Sequence, residues 1–300
     1  MINPKNKWRR YNTPLGICIN EKCETVISKY LVPNYQGQIQ LIFTSPPFPL
    51  NRAKKYGNLN GDEYKKWLCD VVKSMLPLLT EDGSIVIEIG NAWNYGEPTF
   101  STLPMETLLS IKNECGLSLC QEFIYYNPAR LPSPIQYVNI DRTRVKDSFT
   151  RVWWFSRSAT PKANNRNVLK QYSKQMKKLL ETGQYNAGER PSEHSISETA
   201  FNNDNGGAIP SNVIIASNTN SRDPYLLRCK EKGIKIHPAR MPFEVPRFFI
   251  NLLTDEDDIV MDCFAGSNTT GYCAEEAKRR WISVEADKDY YMGSKYRFMR

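Results

Sequence analysis

Three hundred residues suit one large α/β domain, or a domain carrying a sizeable insertion. Hydrophobic residues at 40% and charged residues at 24% lie close to globular averages, which argues against wholesale disorder. Apolar runs are strand-sized and the basic start, Met1 to Arg10, leads into no apolar segment, so neither a membrane span nor a signal peptide is expected and the cytoplasm is the expected compartment. Lys and Arg total 40 against 32 Asp and Glu, but the excess is uneven. From Ser156 to Arg240 there are 14 basic and 7 acidic residues, so this stretch holds seven of the eight net positive charges. That concentration fits either a polyanion-binding surface or a solvated insertion. The eight cysteines form no Cys-x-x-Cys pair and only His194 and His237 accompany them, so no metal site is expected and the thiols read as small apolar fillers.

In chain order, a strand is expected at Leu15–Asn20 and a buried one at Gln38–Thr44, running into Ser45-Pro46-Pro47-Phe48. Tyr64, Trp67, Leu68, Val71, Val72, Met75, Leu76 and Leu79 form one helical stripe. Asp82-Gly83 predicts a turn into a strand at Ser84–Ile89. A helix at Met105–Glu114 ends at Gly116, and strands follow at Leu117–Tyr126 and Arg151–Ser156. Residues 157–236 lose this rhythm, apart from a helical patch at Val168–Leu180. Order returns with a helix at Val245–Leu253, a strand at Asp258–Asp262, a glycine loop, a helix, a strand at Trp281–Glu285 and a last helix. Alternating strands and helices imply an α/β fold with a mostly parallel sheet covered on both faces.

The loop from Asp262 to Gly271 lies between a strand and a helix, where open α/β sheets bind nucleotide-like ligands. Glu285 follows Gly266 by 19 residues, at the end of the next strand, the place of an acid that accepts hydrogen bonds from ribose hydroxyls. The glycines at 266 and 271 have Walker A spacing, but Tyr272-Cys273 replaces Lys-Ser/Thr, and Gly-x-Gly-x-x-Gly is absent. A ribose-binding acid beside a loop unsuited to pyrophosphate points to S-adenosylmethionine, although a plain strand-to-helix turn has the same outline. Ser45-Pro46-Pro47-Phe48 supplies a hydroxyl, rigid carbonyls without N–H donors and an aromatic face. Those groups match a flipped base with an exocyclic amine, with Ser45 Oγ and the Pro46 carbonyl accepting the amino hydrogens and Phe48 stacking. As a bare pattern the tetrapeptide is equally compatible with a tight turn.

Taken together, Ser-Pro-Pro-Phe at 45–48 and Asp-x-Phe-x-Gly-Ser-x-Thr-Thr at 262–270 strongly resemble the amino-methylating DNA methyltransferases of restriction–modification systems. The catalytic motif precedes the cofactor motif, which is the circularly permuted order of the β group of that family. The likeness is closest to its cytosine-N4 branch and extends through Lys54–Asn58, Asn127–Pro134, Val152–Ser156, Asp204–Pro210 and His237–Arg240, nearly the whole chain. The resemblance implies a Rossmann-like, S-adenosylmethionine-dependent methyltransferase fold with a seven-stranded sheet and an inserted target-recognition region. Residues 1–156 would be the catalytic half, 157–236 the target-recognition region and 237–300 the cofactor-binding half. Asp262, Phe264, Gly266, Ser267, Asn268 and Thr269 would border the cofactor, His237, Pro238 and Ala239 would sit near its methionine end, and Glu285 would hold its ribose. Arg52, Lys54 and Lys55 would join the basic stretch in contacting the phosphates of duplex DNA.

Cys263 departs from a common proline, Asn268 from a common glycine, and no Gly-Asp follows the N-terminal strand, which leaves Glu21 as the candidate for the adenosine-holding acid. Adenine-modifying relatives usually carry Asp or Asn in place of Ser45 and cytosine-modifying ones Ser, so the expected activity is methyl transfer to cytosine N4 by direct attack. No cysteine follows a proline, which excludes the carbon-five chemistry of cytosine. The alternatives are an adenine-N6 methyltransferase and a DNA-binding protein without catalysis. A cognate restriction endonuclease would be a functional partner without direct contact.

Overall fold

The computed structural model describes residues 8–48, 61–183 and 203–299, together with 188–189, 191 and 195–196. Two compact units emerge, one formed by residues 1–163 and 212–300 and the other by 164–211.

The larger unit opens with β1 (Arg9–Asn12), β2 (Gly16–Asn20), α1 (Cys23–Val26), a π-helical turn (Ile27–Leu31) and α2 (Val32–Tyr35). Next come β3 (Ile39–Thr44), α3 (Gly61–Met75), β4 (Leu79–Gly90), α4 (Leu103–Glu114), β5 (Ser118–Tyr126) and β6 (Phe149–Ser156). All six residues of β3 are buried, as a central strand covered on both faces requires. The apolar stripe of α3 stops at Met75 because Pro77 cannot continue the helix, and Leu76–Leu78 tighten into a 3-10 turn. Asp82 and Gly83 lie inside β4 rather than in a separate turn. Between the pairs Ile39–Leu79 and Leu41–Ser84 the register jumps, so residues 80–83 bulge out of the ladder.

Residues 164–211 contain α5 (Lys174–Thr182) and a ribbon of β7 (Gly188–Glu189) with β8 (Ser195–Ile196). The helix starts later than Val168 because Ser173 caps it, accepting the Met176 N–H at 3.1 Å. This unit is narrower than the expected 157–236: β9 (Val213–Ile215) and α6 (Pro224–Glu231) belong to the larger unit. That unit is completed by α7 (Glu244–Leu253), β10 (Ile259–Asp262), α8 (Thr269–Glu276), β11 (Arg280–Glu285) and α9 (Lys288–Ser294).

Its sheet has nine strands in the order β1-β2-β11-β10-β3-β4-β6-β5-β9, two more than the seven expected. The run from β2 through β11, β10 and β3 to β4 is parallel, whereas β6 pairs antiparallel with both β4 and β5. The short strand β1 joins one edge antiparallel to β2, and β9 joins the other parallel to β5. One face packs Ile42, Ile85 and Ile87 against Leu68, Val72 and Met75 of α3. On the opposite face Phe43 meets Phe249 of α7 at 5.7 Å between ring centroids. Beyond β10 the chain moves outward to β11, and beyond β3 it moves the other way to β4. The carboxyl ends of β3 and β10 therefore flank a topological switch point, where open α/β sheets form their ligand crevice.

Candidate active site

Both sequence motifs leave the sheet at this crevice. Thr44, the last residue of β3, donates its hydroxyl to Asp262 Oδ1 at 2.8 Å. Asp262, the last residue of β10, is 6% exposed and also accepts the Phe264 N–H at 3.1 Å and the Thr270 hydroxyl at 2.7 Å. Burial pushes its carboxyl up while these three donors pull it back. Asp262 thus fixes the start of both loops.

Gly266 turns the cofactor loop at φ +52°, and a Cβ there would stand 3.0 Å from His237 Nε2, so only glycine fits comfortably. Glu285 Oε2 accepts the Gly266 N–H at 2.6 Å and Oε1 the Asp287 N–H at 2.8 Å. Both backbone donors fix the carboxylate, and each oxygen keeps a lone pair for a further hydroxyl. Burial raises the Glu285 pKa to about 7 against these two bonds. Across the loop, Phe264 meets Trp67 of α3 at 5.6 Å.

On the other side, Ser45 donates its hydroxyl to Glu88 Oε2 at 2.6 Å, and the Thr150 hydroxyl occupies Glu88 Oε1 at 2.9 Å. Glu88 belongs to β4, beside β3, and is buried. Desolvation pushes its carboxyl up, and the bonds from Ser45 and Thr150 and the nearby Arg130 charge pull it down. With its proton aimed at Glu88, Ser45 keeps its lone pairs for a substrate. The Phe48 ring lies where Gly90 has no side chain; a Cβ on Gly90 would come within 2.5 Å of it.

A single cleft of about 1080 Å³ joins these parts, lined by Ser45–Phe48 and Glu88 at one end and Phe264–Ser267 and Glu285 at the other. That is at or above the upper end of the ~300–1,000 Å³ usual for one small-molecule site, so it has room for a cofactor and part of a second substrate. The residues fit an adenosine-bearing cofactor: the Glu285 carboxylate, the Gly266 turn and the Phe264 and Trp67 rings all line this cleft. Among the described residues no cluster of His, Cys, Asp or Glu could hold a metal, and no helix is long and apolar enough to cross a membrane.

A family model for DNA methylases matches residues 39–295. The chain belongs to the DNA methylase family. Type II methyltransferase M.PvuII of Proteus hauseri is 45% identical over 263 residues, 87% of this chain and 78% of that protein. Type II methyltransferase M.BglII of Bacillus subtilis is 22% identical over 257 residues, 85% of this chain and 62% of that protein. The solved PvuII DNA methyltransferase, described as cytosine-N4-specific, superposes with a TM-score of 0.78 at 36% identity, covering 97% of this chain and 88% of that one. A complex of M1.HpyAVI with S-adenosylmethionine shares the fold, with a TM-score of 0.56 at 17% identity over 94% of this chain and 98% of that one.

Among the DNA methylase residues singled out from sequence, Ser45, Pro46, Pro47, Phe48, Asp262, Phe264, Gly266, Ser267, Thr269, Glu285, His237 and Ala239 all line the cleft. Pro238 is not among its lining residues. Nor is Asn268, whose side chain turns inward: it accepts the Gly271 N–H at 3.2 Å and the Ser283 hydroxyl at 2.7 Å and donates to Tyr11 at 3.0 Å. Asn268 is therefore the cap of α8, held at φ +56°. Glu21 accepts the neighbouring Lys22 N–H at 2.8 Å and lies off the cleft, whereas Glu24 lines it. Partial burial opposes the charge of Glu24, but the Trp67 indole N–H, donating at 3.0 Å, helps hold its pKa below the usual range. Arg52, Lys54 and Lys55 lie outside the described residues.

Two residues, one lining the cleft and one supporting its loop, carry little signal in the sequence. Glu88 stands out there only as a lone carboxylate within the apolar run Ser84–Ile89. Arg297 has no sequence signal; it is buried, donates to the Ser267 carbonyl at 2.6 Å and hydroxyl at 3.0 Å, and reaches Asp223 at 3.3 Å.

Proposed function

We propose that this chain moves a methyl group from S-adenosylmethionine to the exocyclic N4 amine of a cytosine flipped out of duplex DNA, protecting sites against a cognate restriction endonuclease inside the cell. The observation that carries this reading is the Ser45–Glu88 hydrogen bond, set in one cleft with the Glu285 loop. Bound cofactor would supply a methyl group activated on a sulfonium. Glu285 would accept the ribose hydroxyls, Phe264 and Trp67 would face the adenine, and Glu24 takes the adenosine-holding role in place of Glu21.

The amine is a weak nucleophile because its lone pair is delocalised into the ring. Ser45 Oγ accepts one amino hydrogen, the Pro46 carbonyl accepts the other, and Phe48 stacks on the ring. Accepting both hydrogens favours a tetrahedral nitrogen with its lone pair free for in-line attack. The methylated nitrogen must then lose a proton, and Ser45 can take it while passing its own to Glu88. Holding the two substrates in line supplies much of the remaining acceleration. Residues 157–236, with Arg52, Lys54 and Lys55, are the proposed recognition and phosphate-binding surface.

Incubation with labelled cofactor and mixed-sequence duplex DNA, followed by digestion to nucleosides and mass spectrometry, tests this directly. N4-methylcytosine is the expected product. N6-methyladenine would overturn the base assignment, and no transfer at all would favour a non-catalytic DNA-binding protein.

A further inference from the structure

The connection between β5 and β6 has its ends pinned together, with the Asn127 N–H donating to the Ser148 carbonyl at 2.8 Å. Apart from one π-helical turn at Gln136–Ile140 the connection is irregular, and it is far longer than the usual link between two antiparallel strands. Within it Leu131, Ile135, Ile140 and Val145 are 81%, 63%, 65% and 86% exposed. Single exposed aliphatics are ordinary, but four on one connection form the kind of surface that a partner covers.

The same connection carries Arg130, Arg142, Arg144 and Lys146 against Asp141 and Asp147. Among the described residues, Arg144 donates to the carbonyls of Pro98 and Thr143, and Lys146 to those of Pro128 and Arg130, rather than to carboxylates. The two acids accept from neutral amides, Gln136 and Asn91. The surface is thus apolar and cationic together. Leu131 has a further property: with Arg130 it lines the cleft that contains Ser45 and Glu88.

A base that reaches Ser45 leaves its stack, at a cost of a few kcal/mol, and proteins that distort duplexes often insert an apolar side chain at the opened step. We propose that the connection 128–147 is the DNA-facing lip of the cleft, with Leu131 entering the space vacated by the flipped base. Arg142, Arg144 and Lys146 hold the adjoining phosphates. This assignment rests on the flipped-base reading of the site. A second copy of the chain would be a poorer occupant, because it would bring these cations against one another, whereas phosphates neutralise them.

The test uses Leu131→Ala in the full chain and a duplex that the wild-type protein methylates. Turnover on the paired duplex is expected to fall about tenfold or more, with cofactor affinity unchanged. A duplex whose target cytosine faces an abasic site has no base pair to break there, so flipping costs less, and on it the variant should recover close to wild-type turnover. Exchange of Arg142, Arg144 and Lys146 for alanine should lower the log–log salt slope of DNA binding by about 0.9 for each phosphate that is no longer neutralised. Wild-type turnover by Leu131→Ala on paired DNA, or an equal loss on the abasic duplex, would overturn the wedge while leaving the methyl-transfer reading intact. A DNA-free dimer in sedimentation that Val145→Lys dissolves would assign the surface to a second copy and overturn the lip. A wild-type protein that methylates no cytosine overturns the functional reading, and the lip with it.

Discussion

Thr44 and Asp262 stand 218 positions apart in the chain, yet their side chains share a 2.8 Å hydrogen bond between neighbouring strands. That bond ties the loop that would position the base to the loop that would hold the cofactor. Methyl transfer needs the two substrates aligned within a fraction of an ångström, so a strut between their loops serves both. Thr44→Val keeps the shape but leaves the buried Asp262 carboxylate with two of its three donors. A loss of about 1–3 kcal/mol is expected, read as a lower urea midpoint at constant slope. Cofactor affinity and turnover should decline together, and Thr44→Ser should restore both. A variant as stable and active as wild type would show that the strut is dispensable.

The second prediction concerns pH. Glu285, raised to about 7 by burial, is partly protonated in the free protein near neutrality. Ribose hydroxyls donate to the carboxylate form, so binding selects that form and releases a proton below about pH 7. Cofactor affinity should rise with pH up to that point and level off above it. The effect on folding has the opposite sign. The folded pKa lies above the ordinary 4.5, so this group increasingly favours the folded state as pH falls from about 7 towards 4.5. Calorimetry in buffers of different ionisation enthalpy measures the released proton directly. Glu285→Gln should abolish the release and cost about 1.5–3 kcal/mol of binding. Affinity that is flat with pH in wild type would remove Glu285 from the ribose.

The two motifs are legible in the sequence because their chemistry is local. Prolines at 46 and 47 fix the backbone and a glycine at 266 frees it for a left-handed turn, and each follows an apolar run long enough for one strand. Glu88 is not legible, because its meaning depends on the pairing of β3 with β4, which puts it beside Ser45. Arg297 is further still from local reading: it supports Ser267 from the end of the chain. Asn268 falls among the cofactor residues by position, but its left-handed backbone and inward amide make it a helix cap. The edge strands escape for a different reason. Strand β1, Arg-Arg-Tyr-Asn, is largely exposed, so no apolar alternation marks it and only pairing with β2 reveals it.

Arg297 gives the third prediction. Its guanidinium sits over Tyr225 and Phe243 at 4.8 and 5.2 Å and shares Asp223 with Arg240. Arg297→Met would take its donor from the Ser267 carbonyl, leave the Ser267 hydroxyl with Thr269 alone, and leave Asp223 with one weaker cation. Breaking a buried pair from one side costs about 3–5 kcal/mol, and the remaining Arg240 should keep the loss near the lower figure. Denaturant unfolding measures that loss, and the cofactor KM should rise more than kcat falls, because Ser267 lies in the cofactor loop. Arg297→Lys should recover part of the stability but not the fork to both Ser267 oxygens. A normal cofactor KM in both variants would confine Arg297 to a structural role.

The last prediction separates Glu88 from Ser45. Glu88→Gln keeps the side chain's size but removes the final proton acceptor, so turnover should fall by about 10²–10⁴ with cofactor affinity unchanged. In the wild type only ionised Glu88 can take the proton. Activity should therefore fall as pH drops, along a limb above the ordinary carboxylate range because desolvation raises this group. The Ser45 hydrogen bond opposes that rise. Ser45→Ala thus has two effects: it removes an acceptor for the amine, and it lets the Glu88 pKa climb further. Its residual activity, carried by a water that fills the place of the hydroxyl and relays the proton to Glu88, should be low, and its acidic limb should sit at higher pH than in wild type. Glu88→Gln should show no such limb. If Ser45→Ala lowered the rate without moving the limb, the group titrating in turnover would not be Glu88, and the proton would leave the amine by another route.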